Sequence, residues 1–531
     1  MKRILLVLSA IAFFCLQITT KLFAAGVLVS IPFLIWFAVK RPQLAVSRKM
    51  SVTGKMLCVL TAVGACLWPI ENFAEWLRSI TVFQRLQSLL GMEMERLSYI
   101  TAILFAAAAL LFVYQMVCLF YERFSAVVRE AIMDFSKAEG ITALVLTAVL
   151  MVLVIVVYLQ TDAFASVTVK RDLIYMSDSG AIVHENVYLS LSALENDFRS
   201  PLFALFAAPL LGLPYLISRV LPVPNALALV MVAAQVPLLV AGLCLLMKLI
   251  PEVSKPARIL LPVLMTATYS ALLFTVMAEQ YTIALFYLAV GLYGLLSHGR
   301  REQLLILGAA GTMLPGAALA LVPEYRGKPI AIILKDTLQS ALLALVLLCT
   351  LGSFGIVLRI PGTLQSIGRF TGDGIAFPDR LSQYSSFIGQ IFIAPQAGMV
   401  AAADGYAKWR LAENGGVSIL GIALLVLACA GFILNRRQRF ARISMVWVGV
   451  SFLLLCVLGW GTAENGLTLY TLYFGWAYAA LLVYLVESVL RAIGLARFSW
   501  IVYALGMAAL LTVNLPQMLA LVRFAITYYP I

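Results

Sequence analysis

The chain has 531 residues, 63% of them hydrophobic and only 12% charged, with a mean hydropathy of +0.99. That composition excludes an ordinary water-soluble domain, and a spanning β-barrel would instead show segments of about ten residues with alternating polarity. The net charge of +13, from 38 basic and 25 acidic residues, falls mainly in short loops between apolar runs, so it reads as a topology signal and implies no nucleic-acid partner.

A bilayer core about 30 Å thick needs about 20 apolar residues per helix. By that measure the sequence predicts an all-α polytopic membrane protein with about 14–15 transmembrane helices, near 4–18, 22–39, 54–70, 99–121, 141–160, 224–248, 258–276, 281–297, 303–322, 331–357, 417–434, 443–461, 467–487 and 498–522. The start, MKRILLVLSAIAFFCLQITTKLFAAG, has the look of a signal peptide. A second apolar segment follows at once, so an uncleaved hairpin is expected.

Orientation follows from Lys and Arg in short loops. Lys40, Arg41, Arg48, Lys49 and Lys55 mark one inside loop, and Arg123, Arg129 and Lys137 a second. Lys248, Lys255 and Arg258, then Arg300 and Arg301, then Arg436, Arg437, Arg439 and Arg442, mark later ones. Five crossings from an inside Met1 place residues 161–223 outside, and 359–416 forms a second outside loop. Balancing the crossings makes 303–322 two short half-helices split at Pro315. The alternative, that 387–403 is itself a span, is less favoured because Gln390, Pro395 and Gln396 suit an interfacial helix.

The chain divides into a four-helix membrane module (1–121), a charged cytoplasmic linker (122–140), a core with its outside loop (141–358), and a second outside loop with the C-terminal helices (359–531). All eight cysteines fall in expected spans without a CxxC pair, so they read as core residues. The aromatic run LTLYTLYFGWAYAALLVY (467–484) reads as interface anchoring, with a minor sugar-stacking role open to Tyr470, Tyr473 and Trp476.

The most polar stretch is YMSDSGAIVHENVYLSLSALENDFRSPLF (175–203), carrying Asp178, His184, Glu185, Glu195, Asp197 and Arg199. An interfacial helix is expected after it, and a later helix pair breaks outside at TVMAEQYTIALF, with Glu279. This order of parts resembles the GT-C superfamily, the membrane glycosyltransferases that use polyprenyl-phosphate sugars, and most of all its protein O-mannosyltransferase and aminoarabinose transferase branches. Asp178 stands where the family has its first acid. Arg199, Pro201, Leu202 and Phe203 match the RxPLF part, Glu279 and Tyr281 fall at the second acid, and LLILGAAGTMLPGAALAL (304–321) is similar to the broken helix pair. The resemblance covers roughly 141–330. It departs from the family in having one Asp in SDSG, so Glu185 or Asp197 would have to be recruited from further along.

Transfer of a sugar from a lipid phosphate needs a carboxylate to take the acceptor's proton and positive charge near the departing phosphate. Of the two catalytic candidates, Asp178 is the expected general base, with Glu279 shaping the acceptor or metal site. Arg199, Arg369, Arg380 and Lys408 are candidates for the donor phosphate, with His184, Glu185, Asp197 and Tyr281 secondary. Carboxylates of this kind hold Mg2+ or Mn2+ through oxygen, but no ligand spacing demands either. The bland readings are that Asp178 caps a helix, Glu279 is a solvated helix end and Arg199 snorkels. The expected setting is the outer face of a plasma membrane, and the lack of any N-x-S/T sequon leans towards a bacterial one. Competing functions are a transporter or flippase of lipid-linked saccharides, for which Lys335 and Asp336 are the intramembrane charges, and a non-catalytic cell-envelope assembly protein.

Overall fold

In a computed structural model, residues 2–16, 50–165, 172–175, 177, 179–184, 199–251, 253–299, 303–321, 338, 341, 344, 371, 374–402, 405–412, 416–462 and 466–531 are described. Among them eight helices are long and apolar enough to cross a membrane. A ninth appears if helices Lys255–Thr266 and Tyr269–Val276, bent by 60°, form one broken span. Shorter apolar helices occupy Ile4–Leu16, Phe203–Ser218 and Ile419–Asn435. The expected spans at 22–39 and 331–357 lie outside the described residues, apart from the single positions 338, 341 and 344.

The chain is helical and polytopic, but its elements depart from the expected list in three places. First, one helix runs unbroken over Met94–Asp134. Its 41 residues give about 60 Å at 1.5 Å per residue, roughly twice the hydrocarbon thickness. Residues 122–134, read from the sequence as linker, therefore continue this helix. They do so because their apolar face has a partner: Phe124 packs edge-on against Tyr287, and the Tyr293 hydroxyl donates to Asp134 Oδ2. Only at Ser136 does the chain turn, where Ser136 and Glu139 cap the next helix, Lys137–Tyr158, reciprocally.

Second, the fold is not purely helical. Residues 387–403 divide between the end of helix Phe377–Phe392 and a strand, Ala397–Ala401 (β1). It pairs antiparallel with Ala407–Leu411 (β2), Gly398 facing Arg410 and Val400 facing Lys408. Gly405, at φ +83°, makes the left-handed turn between them. The segment is thus neither a span nor one interfacial helix.

Third, 303–322 forms helix Gln303–Thr312 followed by a 3-10 segment, Leu314–Leu321. The 3-10 segment folds back so closely that a Cβ on Gly316 would lie 2.3 Å from the Ala309 carbonyl oxygen. The half-helix pair is present in kind, while the expected return to the inside at 324–328 lies outside the described residues.

Close backbone contact holds the helices together, as small residues permit in a bilayer where apolar burial alone does not drive association. A Cβ on Gly64 would lie 1.9 Å from the Gly212 oxygen, which locks helix Val52–Leu67 onto helix Phe203–Ser218. The N-terminal helices thereby share one continuous core with the rest. The break at 266–269 is answered by Asn514, fully buried on helix Ser499–Tyr528. Its amide donates to Ala267 O (3.0 Å) and Phe392 O (2.7 Å), and its oxygen accepts from Ala394 N (2.9 Å). Non-helical backbone at this depth needs such partners. Buried Glu487 is similarly placed, accepting from the Tyr503 hydroxyl at 2.9 Å.

Candidate functional site

The two segments read as outside loops meet. Ile174 bridges Trp409 in parallel, with Trp409 N donating to Leu173 O (2.8 Å) and Tyr175 N to Trp409 O (3.0 Å). The indole of Trp409 donates to the Tyr175 hydroxyl at 3.1 Å, and Tyr269 donates to the same oxygen at 2.5 Å. Burial pushes the Tyr175 phenol up from its ordinary pKa, against the lowering effect of those two donors, so it stays neutral. Tyr175 is held at φ +49°, a left-handed conformation that costs a non-glycine residue about 1–3 kcal/mol. The segment leading to Asp178 is therefore clamped by the hairpin and by helix Tyr269–Val276. Asp178 itself, with Glu185, Asp197 and Arg369, lies outside the described residues; His184 closes the short helix Ser179–His184.

The RSPLF segment docks beside Glu279. The Ser200 hydroxyl donates to the Gln280 side-chain oxygen at 3.0 Å, while Leu314 N donates to Arg199 O (2.7 Å) and Leu202 N to Gly311 O (2.9 Å). The Tyr287 hydroxyl, two turns into the next helix, reaches Phe206 O at 2.6 Å. Three parts far apart in sequence, as Arg199 and Leu314 are, are thus stitched together: the arginine segment, the helix break at 277–280, and the folded-back pair 303–321. Glu279 is only 1% exposed. It is not the solvated helix end that its sequence position allows, because the break is covered on all sides by other elements.

Aromatic side chains complete the surroundings. Tyr281 stacks edge-on against Phe274 and Tyr470, and Trp460 donates to the Tyr470 hydroxyl at 2.7 Å. Gly459, beside Trp460, lies against the Arg380 guanidinium, whose Nη1 donates to Val457 O at 3.3 Å. Arg380 therefore borders the cluster. Lys408 lies on the hairpin that clamps the Tyr175 segment, sharing a face with Arg410, opposite the inserted Trp409. Tyr473 and Trp476 are 0% and 1% exposed inside helix Thr471–Ala492, so the interface-anchor reading does not hold for them, and neither does sugar stacking. Packing against Trp447, Phe440 and Phe474 takes their faces.

One acid was missed by sequence reasoning. Asp162 follows directly on helix Lys137–Tyr158, is buried, accepts from the Asn225 amide at 3.0 Å, and its N–H donates to Tyr529 O. The Tyr158 hydroxyl donates to Val276 O at 2.9 Å, three residues before Glu279. The usable signal was a lone acid at the end of a long apolar run. Among the described residues no three His, Cys, Asp or Glu side chains gather to hold a metal ion, and the seven described cysteines are free thiols. No protein family, no curated protein and no solved structure matches this chain.

Proposed function

We propose that the protein is a membrane glycosyltransferase of GT-C type, moving a sugar from a polyprenyl-phosphate donor to a lipid, polymer or protein acceptor on the outer face of a bacterial plasma membrane. The observation that carries the reading is the docking of Arg199–Ser200 onto Glu279–Gln280, a buried carboxylate beside a guanidinium-bearing turn. Such contact between residues 80 apart in sequence is not needed for solvation alone. In this reading Asp178, carried on the clamped loop, takes the acceptor's proton. Glu279 orients the acceptor, and Arg199 together with Arg380 at the cluster's edge meets the donor phosphate. The basic residues of the opposite end (Lys248, Arg258, Arg439) mark the cytoplasmic side.

The test is reconstitution of the full chain in proteoliposomes with a radiolabelled polyprenyl-phosphate sugar and an envelope extract as acceptor. Glycosylated product from the wild type, and none from Asp178→Asn protein that inserts normally, is the expected result. Movement of labelled lipid between leaflets with no glycosylated product would replace this reading with a flippase.

A further inference from the structure

The end of the molecule opposite Glu279 holds a cleft of about 440 Å3 where helices Ala226–Lys248, Tyr281–His298, Arg439–Ser451 and Thr471–Ala492 converge. Its described lining contains three cations, Lys248, Arg258 and Arg439, and no carboxylate. They come from three different helices, so their convergence is a product of packing and not of one basic run.

The three are not equivalent. Lys248 is engaged: its ammonium donates to Asp134 O at 2.5 Å and reaches Glu139 at 3.4 Å. The Arg258 guanidinium has neither a hydrogen bond nor an ion pair among the described residues. Arg258 stands in the first turn of helix Lys255–Thr266, and Arg439 is the first residue of helix Arg439–Ser451. Each guanidinium thus stands at the positive dipole end of a helix, which favours an anion. The planar fork of Arg suits a phosphate better than a point charge does. Between the cations the lining mixes apolar side chains, Leu249, Leu296 and Phe440, with the polar ones of Ser297, Gln438 and Tyr484. Cations, hydroxyl and amide groups set beside apolar side chains, at the level where spans end, fit an amphiphile's headgroup better than a soluble ion.

We propose that this cleft binds the headgroup of an anionic phospholipid, its phosphodiester held between Arg258 and Arg439 and its acyl chains leaving over the Leu249–Leu296 rim. Occupancy joins the starts of two helices, so the lipid acts as a fastener at this end. The inference is independent of the chemistry at Glu279.

The experiment is thermal unfolding of the purified full chain in a neutral maltoside micelle, titrated separately with short-chain phosphatidylglycerol, short-chain phosphatidylcholine and inorganic phosphate. Phosphatidylglycerol is expected to raise the melting temperature saturably and the other two are not. Arg258→Gln and Arg439→Gln are each expected to weaken the apparent affinity about fivefold, as for one basic group at an anionic surface. Arg497→Gln, at an exposed arginine outside the cleft, leaves it unchanged. Native mass spectrometry of the purified protein provides a second readout, with co-purifying phosphatidylglycerol retained by wild type and lost from the double variant. Equal stabilisation by phosphatidylcholine, a response to inorganic phosphate matching that to the lipid, or undiminished phosphatidylglycerol binding by the double variant would each overturn the proposal.

Discussion

At the basic end, described helices join through short turns: Ser136 and Glu139 cap one, Gly299 at φ +60° ends another, and the turn from Asn435 to Arg439 makes a third. Charges there pair locally, as Lys248 does with Glu139 and His298 with Glu130. At the opposite end the connections are long, fold on one another and bury what they carry. Glu279 and Asp162 are enclosed, Trp409 is inserted into the core, and the backbone bonds of 199–202 go to 311–314. The contrast teaches that charge near water signals topology, whereas charge enclosed by folded loops requires a reason. A buried carboxylate is costly unless it is paired or put to use.

That contrast can be broken most directly at Glu279. If the enclosed acid is functional, Glu279→Gln, which keeps volume and hydrogen-bonding capacity, lowers transfer about 100-fold while leaving the melting temperature within a few degrees. A structural acid would show the reverse, lost stability with residual activity. The next largest effect is expected at the hairpin. Trp409→Ala removes a buried indole and should cost about 3–5 kcal/mol in reversible unfolding. Trp409→Phe, which loses mainly the bond to Tyr175, should cost only about 1 kcal/mol. A near-neutral Trp409→Ala would mean that the hairpin does not anchor the acidic loop.

Smaller still is Asn514→Ala. It orphans two carbonyls and one N–H around the 60° break, an expected loss of about 1–3 kcal/mol by denaturant titration in detergent. The comparison is finally sharpened by a change that should barely perturb the fold. Asp379→Cys, on an exposed turn of helix Phe377–Phe392, should react with a membrane-impermeant maleimide in intact cells, and exposed Arg437→Cys should react only after permeabilisation. The opposite pattern would invert the assignment of the two ends. The described native cysteines, buried or half-buried, give little background.

Much of the fold was legible in the sequence because hydropathy is a local, additive property. Most described spans lie within a few residues of the apolar runs, and the expected break in 303–321 falls at Met313, with Pro315 just inside the 3-10 segment that follows. Misreadings occurred where a local signal was overruled by a distant partner. Charges at 122–134 suggested a linker, yet Tyr287 and Tyr293 gave that stretch something to pack against, so the helix continued. The DG turn at 404–405, flanked by alternating residues in AKWRL, was a usable hairpin signal that the surrounding helical pattern obscured. Of the candidate site, the Arg199 segment packs onto the Glu279–Gln280 break, Tyr281 packs on Tyr470, Arg380 contacts Val457, Lys408 lies on the hairpin, and Asp162, which was not foreseen, is buried beside Asn225.

By itself the sequence determined the membrane class, the approximate positions of most described helices and the separation of basic loops from an acidic one. These follow from the cost of placing polar groups in hydrocarbon, which each segment meets alone. Only the tertiary structure decided that Glu279 is enclosed, that Tyr473 and Trp476 face protein instead of headgroups, and that Arg258 and Arg439 converge from different helices. Those outcomes depend on contacts between residues tens to hundreds of positions apart, and hydropathy along a chain does not encode which helix will be the neighbour.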